Sequence, residues 1–161
     1  MTPRLETLVA KKLVGQHLSM SLAANRTQEL WRSFMARRAE IANCVGTARY
    51  SLQVYAPGYF THFDPQAEFE KWALVEVADF EAVPAGMAAF QLVGGLYAVF
   101  AYRGSAQAAA PVFQYIFGTW LPGSGYVLAD RPHFEVLGEN YRPNHPDSEE
   151  EIWIPVAPKP A

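Results

Sequence analysis

Several features that identify common classes of protein are missing from this sequence. It has one cysteine, Cys44, so no internal disulfide can form and a secreted, disulfide-stapled domain does not fit. No apolar run reaches the roughly 18 residues of a transmembrane helix, and the first residues lack the apolar core of a signal peptide. The sequence therefore predicts a cytoplasmic, soluble protein with no membrane partner.

Motifs for several common chemistries are missing as well. The four histidines show no metal-binding spacing, and no glycine loop suited to cradling a phosphate is present. Ser124 has no glycine two residues before it, as a nucleophile elbow requires. We therefore expect no metal site and no cofactor.

A strongly basic surface is also absent. The net charge is −3 and the isoelectric point is about 5.8, and the only basic pairs are Lys11-Lys12 and Arg37-Arg38. Proteins that bind duplex nucleic acid usually carry a larger basic patch. Direct binding to DNA is therefore not expected.

The chain does contain enough apolar residues for a substantial core. Half of its 161 residues are apolar and 14% are aromatic. A chain of this length fits one domain and can bury about two-thirds of its unfolded surface. We expect a single domain over residues 1–161, with a core at about 12–156 and a disordered tail at 157–161.

Alternating apolar residues predict strands, and an apolar stripe at 3.6-residue spacing predicts a first helix. The predicted elements are strands at residues 12–20, 49–55, 71–78, 95–103, 133–137 and 151–156, helices at 25–41 and 104–119, and a short joining strand within 83–93. The order strand, helix, strand, strand thus occurs twice. We predict an α+β fold of duplicated βαββ halves with antiparallel sheets, helices packed outside, and a cleft between the halves.

Both helices carry signals at their N-termini. Asn25 and Gln28 have the spacing of a capping box, with Asn25 at the N-cap. Pro111 lies inside the second helix, so this helix is predicted either to begin late, with Pro111 in its first turn, or to be kinked.

Six motifs in this order resemble the GyrI-like small-molecule-binding family. They are Trp-x-x-Phe at 31–34, Val-Glu-Val at 75–77, Gly-x-Tyr-x-Val-Phe-x-x-x-Gly at 95–104, Trp-Leu-Pro-x-Ser-Gly-Tyr at 120–126, Phe-Glu at 134–135, and Glu-Ile-x-Ile-Pro-Val at 151–156. The family includes the effector-binding domains of AraC-type and MerR-type drug-responsive regulators. The resemblance implies two βαββ halves with the ligand pocket between them. Because too few residues precede the first predicted strand for a DNA-binding segment, the chain resembles a stand-alone member.

The candidate ligand-binding residues are a carboxylate and the rings expected around it. Strand alternation places His133, Glu135 and Leu137 on one face. A buried carboxylate needs a partner or a use, and aromatic rings around it suit a lipophilic cation. In the family an aromatic residue commonly stands where this chain has Leu137, and Tyr141 is an alternative source of that ring. The predicted site residues are Glu135, Glu151, Trp72, Tyr97, Trp120, Tyr126 and Trp153, while Glu149 and Glu150 are expected to be solvated.

The resemblance favours a stand-alone domain that binds a lipophilic, cationic or aromatic small molecule, with Glu135 as its countercharge. Two alternatives stay open. One is a hydrolase of strained, cyclopropane-containing compounds, which some stand-alone relatives are, with Glu135 as the catalytic base. The other is a gyrase-inhibitor-like module that binds a protein partner.

Overall fold

The computed structural model describes all residues, Met1 to Ala161. Its strands are β1 (Arg4–Leu8), β2 (Lys11–Ser21), β3 (Cys44–Val54), β4 (Glu68–Val77), β5 (Ala88–Leu92), β6 (Gly95–Arg103), β7 (Tyr126–Leu128), β8 (His133–Leu137) and β9 (Glu149–Pro158). Its helices are α1 (Thr27–Arg37), α2 (Ala110–Tyr115) and α3 (Leu121–Gly123), with 3-10 turns at Arg38–Glu40 and Ala106–Ala108 and a π-helical turn at Ile116–Trp120. No helix has the length and apolar character needed to cross a membrane.

The strands form one antiparallel sheet in the order β1-β6-β9-β8-β3-β4-β2-β5, with β7 added to β9. Strands β2, β3 and β4 with α1 form the first half, and β6, β8 and β9 with α2 form the second. The halves meet where β3 pairs with β8, so that Ser51 lies opposite Glu135. The predicted α+β fold of two antiparallel halves is therefore confirmed.

Two edge strands cross between the halves. β1 precedes the first half in sequence but pairs with β6 of the second, and β5 precedes the second half but pairs with β2 of the first. The connections from β1 to β2 and from β5 to β6 are two residues each, at 9–10 and 93–94. These short connections hold both edges of the sheet together, so the sheet must curl. The sequence predicted β5 as the short joining strand but did not predict β1.

The curled sheet has a different core on each face. On the concave face, residues from the central and edge strands form one cluster, namely Leu8, Leu13, Tyr50, Leu52, Trp72, Leu74, Leu92, Tyr97, Val99, Phe134 and Trp153. On the outer face, α1 packs against β2 and β4 through Leu30 and Phe34, and the second helical segment packs against β6 and β9 through Ile116. The helices therefore leave the central strands β3 and β8 uncovered between them.

The helix starts differ from the sequence-based prediction at the first helix and agree at the second. Asn25 is not the N-cap. Its side chain accepts a hydrogen bond from the backbone N–H of Thr27 at 2.9 Å, while Arg26 holds the N-cap position without a side-chain cap. The second helix begins late, with Pro111 in the first turn of α2, which is the first of the two predicted alternatives.

The C-terminal residues are more ordered than expected. β9 continues through Ala157 and Pro158, which pair with Val127 and Tyr126 of β7. The backbone N–H of Lys159 donates to the carbonyl of Gly125 at 2.8 Å. The expectation that disorder begins at residue 157 is corrected, because β7, which the sequence did not predict, supplies a pairing partner.

Trp120 is predicted to anchor the second helical segment to the sheet. Its ring meets Phe100 of β6 edge-on at 5.2 Å and stacks on Tyr126 at 6.4 Å. Trp120→Ala should lower the free energy of unfolding by about 3 kcal/mol, the lower end for a Trp because this one is only partly buried. Urea denaturation measures this, and Phe63→Ala is the control, since Phe63 is 71% exposed. An unchanged unfolding curve for Trp120→Ala would contradict the anchoring role.

Candidate functional site

A cleft of about 1000 Å³ lies between α1 and α2 over the uncovered strands. Its floor comes from β3, β4, β8 and β9, and the loop after β8 covers one end. The lining residues are Asn25, Thr27, Gln28, Trp31, Arg32, Met35, Arg49, Ser51, Lys71, Ala106, Gln107, Ala109, Phe113, Glu135, Leu137, Tyr141, Pro143, Asn144 and Glu150. Both halves contribute walls, so the cleft lies between them as predicted.

The floor of the cleft holds a carboxylate and an ammonium bridged by an amide. The NH₂ group of Gln53 donates to Oε2 of Glu135 at 3.2 Å and to the backbone carbonyl of His133 at 3.1 Å, and the Gln53 oxygen accepts from the ammonium of Lys71. Burial raises the pKa of Glu135, whereas Lys71 and the Gln53 hydrogen bond lower it. Burial also lowers the pKa of Lys71. Each charged form is therefore retained only with help from the other.

A second carboxylate, Glu150, lies beside this group. Glu135 pairs with Ile152 across β8 and β9, so Glu150 is its diagonal neighbour on the same face. Burial and the charge of Glu135 raise the pKa of Glu150 to about 7, against the opposing effect of Lys71. The three groups form an acidic floor (Glu135, Glu150 and Lys71) whose charge changes near neutral pH.

Aromatic rings close the inner end of the cleft beyond Glu135. Phe60 stacks on His133 at 5.1 Å and on Phe117 at 5.2 Å, and Tyr55 meets His133 edge-on at 4.9 Å. His133 is buried, which lowers its pKa to about 3, so its ring stays neutral at physiological pH. Tyr55 of this aromatic group lies close enough to Glu135 for the carboxylate charge to affect it, so the packed rings contribute to the burial that raises the pKa of Glu135.

The outer end of the cleft carries positive charge. The guanidinium of Arg49 lies 5.9 Å from the centre of the Tyr141 ring, and its Nη1 is 3.6 Å from the sulfur of Met35. Arg32 on α1 lines the same part of the cleft. The cleft is thus polarised, with carboxylates at the floor and arginines towards its mouth.

Of the predicted site residues, Glu135 alone lines the cleft, where it is partly buried. Its binding role stays a prediction. Tyr141 also lines the cleft. It is the residue that was considered as a substitute for the aromatic ring that the family commonly has at the position of Leu137. Glu151 points to the opposite face of the sheet, because alternation along β9 separates it from Glu150. Its carboxylate there accepts from Arg4 at 2.7 Å and from Trp153 Nε1 at 3.2 Å.

Three of the predicted rings lie in the core of the concave face. Trp72 is stacked on His17 at 4.2 Å, and Trp153 is stacked on Phe134 at 5.2 Å. Tyr97 is fully buried, and its hydroxyl donates to the carbonyl of Pro132 at 2.8 Å. These rings are on the side of the sheet away from Glu135 and do not line the cleft. The remaining two, Trp120 in the second helical segment and Tyr126 in β7, stack on each other against the outer-face core and do not line the cleft either.

The sequence-based prediction missed most of the residues that accompany Glu135. Lys71 stood at the start of a predicted strand, and Glu150 lay in a run of three glutamates that was expected to be solvated. Side chains alternate between the two faces of the sheet along β9, and this alternation, which places Glu150 on the face of Ile152, is the signal that could have separated Glu150 from its neighbours Glu149 and Glu151. Trp31 was expected to be core, yet it also lines the cleft.

The sequence matches the family of the GyrI-like small molecule binding domain over residues 1–157. The chain therefore belongs to this family and is a GyrI-like small-molecule-binding domain. It is 30% identical over 148 residues to the transcriptional regulator BrlR of Pseudomonas aeruginosa. That alignment covers 91% of this chain and 52% of BrlR, so the chain spans about half the length of this relative.

Solved structures share the fold at low sequence identity. The structure of SAV2435 bound to tetraphenylphosphonium is 16% identical with a TM-score of 0.74, and the match covers 98% of this chain and 94% of that one. The C-terminal domain of EcmrR is 13% identical with a TM-score of 0.70, covering 98% of each chain. Both likenesses establish the curled sheet with its flanking helices.

Removing Lys71 should raise the pKa of Glu150 above about 7, since Lys71 is the group that lowers it. A carboxyl group with a raised folded-state pKa makes a protein less stable as the pH rises from its unfolded pKa through its folded pKa. The contribution of Glu150 to stability should therefore fall between about pH 4.5 and 7, while that of buried His133, with its pKa of about 3, rises over much of this range in the native protein and the variant alike. The effect of Lys71 is thus the difference between the two proteins, and Lys71→Met should lose stability relative to the native protein by pH 8. Carboxyl ¹³C NMR titration and urea denaturation at both ends of this range measure the two effects. Exposed Lys12→Met is the control, and an unchanged Glu150 titration in Lys71→Met contradicts the coupling.

Proposed function

We propose that this domain binds amphipathic, aromatic small molecules that carry a positive charge, and that the positive group faces the acidic floor. The observation that carries the proposal is the convergence of Glu135 and Glu150 on a single ammonium, that of Lys71. When both carboxyl groups are ionised, two negative charges stand against one positive charge. The remaining negative charge is poorly hydrated, so a bound cation would be strongly favoured there.

Aromatic side chains supply the second part of such a site. Trp31 from α1, Phe113 from α2 and Tyr141 from the loop after β8 line the walls. Each ring–cation contact adds roughly 0.5–2 kcal/mol, depending on how far water is excluded. Rings from three separate elements surround the space above the carboxylates, which suits a ligand with several aromatic groups.

Two comparisons support this ligand class and its use. SAV2435, a protein of the same fold, is bound to tetraphenylphosphonium, a lipophilic cation. BrlR is a transcriptional regulator, and the EcmrR domain is also the C-terminal part of a larger protein. We propose that occupancy of the cleft is a cytoplasmic signal read by a protein partner or by a further part of a longer chain. Direct contact of this domain with DNA is not part of the proposal.

Tetraphenylphosphonium should bind more tightly as the pH rises. It keeps its charge at every pH, so titration of the protein alone decides the trend. The groups facing Glu150 are Glu135, Lys71, Tyr102 and Tyr141, and its own pKa is raised to about 7. A bound cation favours the ionised form, so affinity should rise up to about tenfold between pH 6 and 8, with release of a proton. Calorimetry in two buffers of different ionisation enthalpy measures both.

The matched variants for this test are neighbours in sequence. Glu150→Gln should weaken binding and remove the pH dependence, whereas Glu149→Gln should leave both unchanged because Glu149 is exposed outside the cleft. Triphenylphosphine oxide, a neutral compound of related shape, should show no pH dependence. Equal affinity for the cation and the neutral compound at pH 8 would overturn the proposed ligand class.

A second candidate function is hydrolysis of a strained, cyclopropane-containing electrophile. The observation that favours it is the raised pKa of both carboxyl groups, that of Glu150 reaching about 7, because a general base works best with a pKa near the operating pH. Glu135→Gln should then leave substrate binding intact and reduce turnover about 10²–10⁴-fold. Steady-state kinetics with a cyclopropane-containing substrate measure this. No turnover by the native protein excludes the candidate.

A further inference from the structure

Arg49 is a half-buried cation without a counterion in the wall of the cleft. It forms no ion pair within 4.0 Å, and its only polar contact is with the sulfur of Met35. Burial and the neighbouring Arg38 lower its pKa, and only Tyr141 acts in the opposite direction. Four of the other eight arginines have a counterion: Arg4, Arg26, Arg37 and Arg103 each pair with a carboxylate.

Packing against Tyr141 holds the Arg49 guanidinium in place at the cleft surface. Arg32 from α1 adds a second positive charge to the cleft, and it too has no carboxylate partner. The surrounding lining is polar, with Gln28, Gln107 and Asn144 on the adjoining elements. The two arginines in this part of the cleft repel any positive group, so a ligand that carries only positive charge is disfavoured there.

We propose that the preferred ligand is zwitterionic. In addition to the positive aromatic part, it carries an anionic group, a carboxylate or a phosphate, that binds Arg49 and Arg32. This inference rests on the proposed function and specifies its ligand further. A guanidinium presents paired N–H donors in a fork that fits two oxygens of one anion.

The strand register sets the distance between the two binding positions. Arg49 pairs with Leu137, and Glu135 pairs with Ser51, so Arg49 and Glu135 are diagonal neighbours on one face, with roughly 7–8 Å between diagonal positions. A ligand can therefore contact both ends of the cleft only if its charged groups are separated by a short arm. Ligands with both charges on one atom group, or with a single charge, reach one end alone.

A matched pair of probes tests this assignment. (4-Carboxybutyl)triphenylphosphonium has a phosphonium and a carboxylate on a four-carbon arm, and its methyl ester keeps the phosphonium but loses the negative charge. By calorimetry at pH 8, the acid should bind about tenfold more tightly than the ester, the lower range of a charge-assisted hydrogen bond. Arg49→Met should abolish this preference, and it should not weaken binding of the ester, because the variant removes a charge that repels the phosphonium group.

Further variants separate the possible results. Arg32→Met, on the exposed surface of α1, should remove part of the preference, which keeps the test valid if Arg49→Met unfolds. Arg37→Met is the control, because Arg37 pairs with Glu40 and does not line the cleft. The proposal of a zwitterionic ligand is wrong if the ester binds as tightly as the acid, or if Arg49→Met and Arg32→Met both retain the full preference. Neither result contradicts the proposed binding of cations. If neither probe nor tetraphenylphosphonium binds, the proposed function fails and this inference fails with it.

Discussion

The pairing of β3 with β8 is the constraint on which the rest of the structure depends. It joins the two halves and places Ser51 opposite Glu135 at their boundary. Since each half carries its own helix on the outer face, the central strands are the one part of that face without cover. The cleft is a consequence of this duplication, and each of its walls comes from a different half.

Charges buried at this boundary are costly, and the structure lowers that cost in a consistent way. Lys71 and Glu135 approach each other through Gln53, so each charge has a hydrogen-bonded partner. Glu150 has no partner of its own beyond Lys71, so its ionised form is poorly stabilised and its pKa is raised. At the other end of the cleft, the positive charge of Arg49 has no carboxylate partner. One end of the cleft therefore has a poorly compensated negative charge and the other a poorly compensated positive charge. Such an arrangement is expected of a site completed by its ligand and not of a region that serves stability alone.

Much of the fold could be predicted because strand alternation and turn residues are local properties. β6 and β8 were predicted with the bounds that the structure has, and Pro111 indicated the late start of α2. Asn25 was misassigned since its side chain makes a shorter turn with Thr27 in place of a capping box. β1 and β7 were missed because short edge strands depend on a partner that is distant in sequence.

Alternation along a strand determines which residues share a face, and on this point the sequence alone was sufficient for Glu135, His133 and Leu137. It does not determine which face becomes the concave core and which lies under the helices. The curl of the sheet decides that, because the two-residue connections bring the edge strands together on one side only. Trp72 and Trp153 therefore lie in the core, whereas Glu150 faces the cleft. Only the tertiary structure could bring Arg49, Lys71 and Glu150 together, since each lies on a different strand and their pairing is set by backbone hydrogen bonds between distant segments.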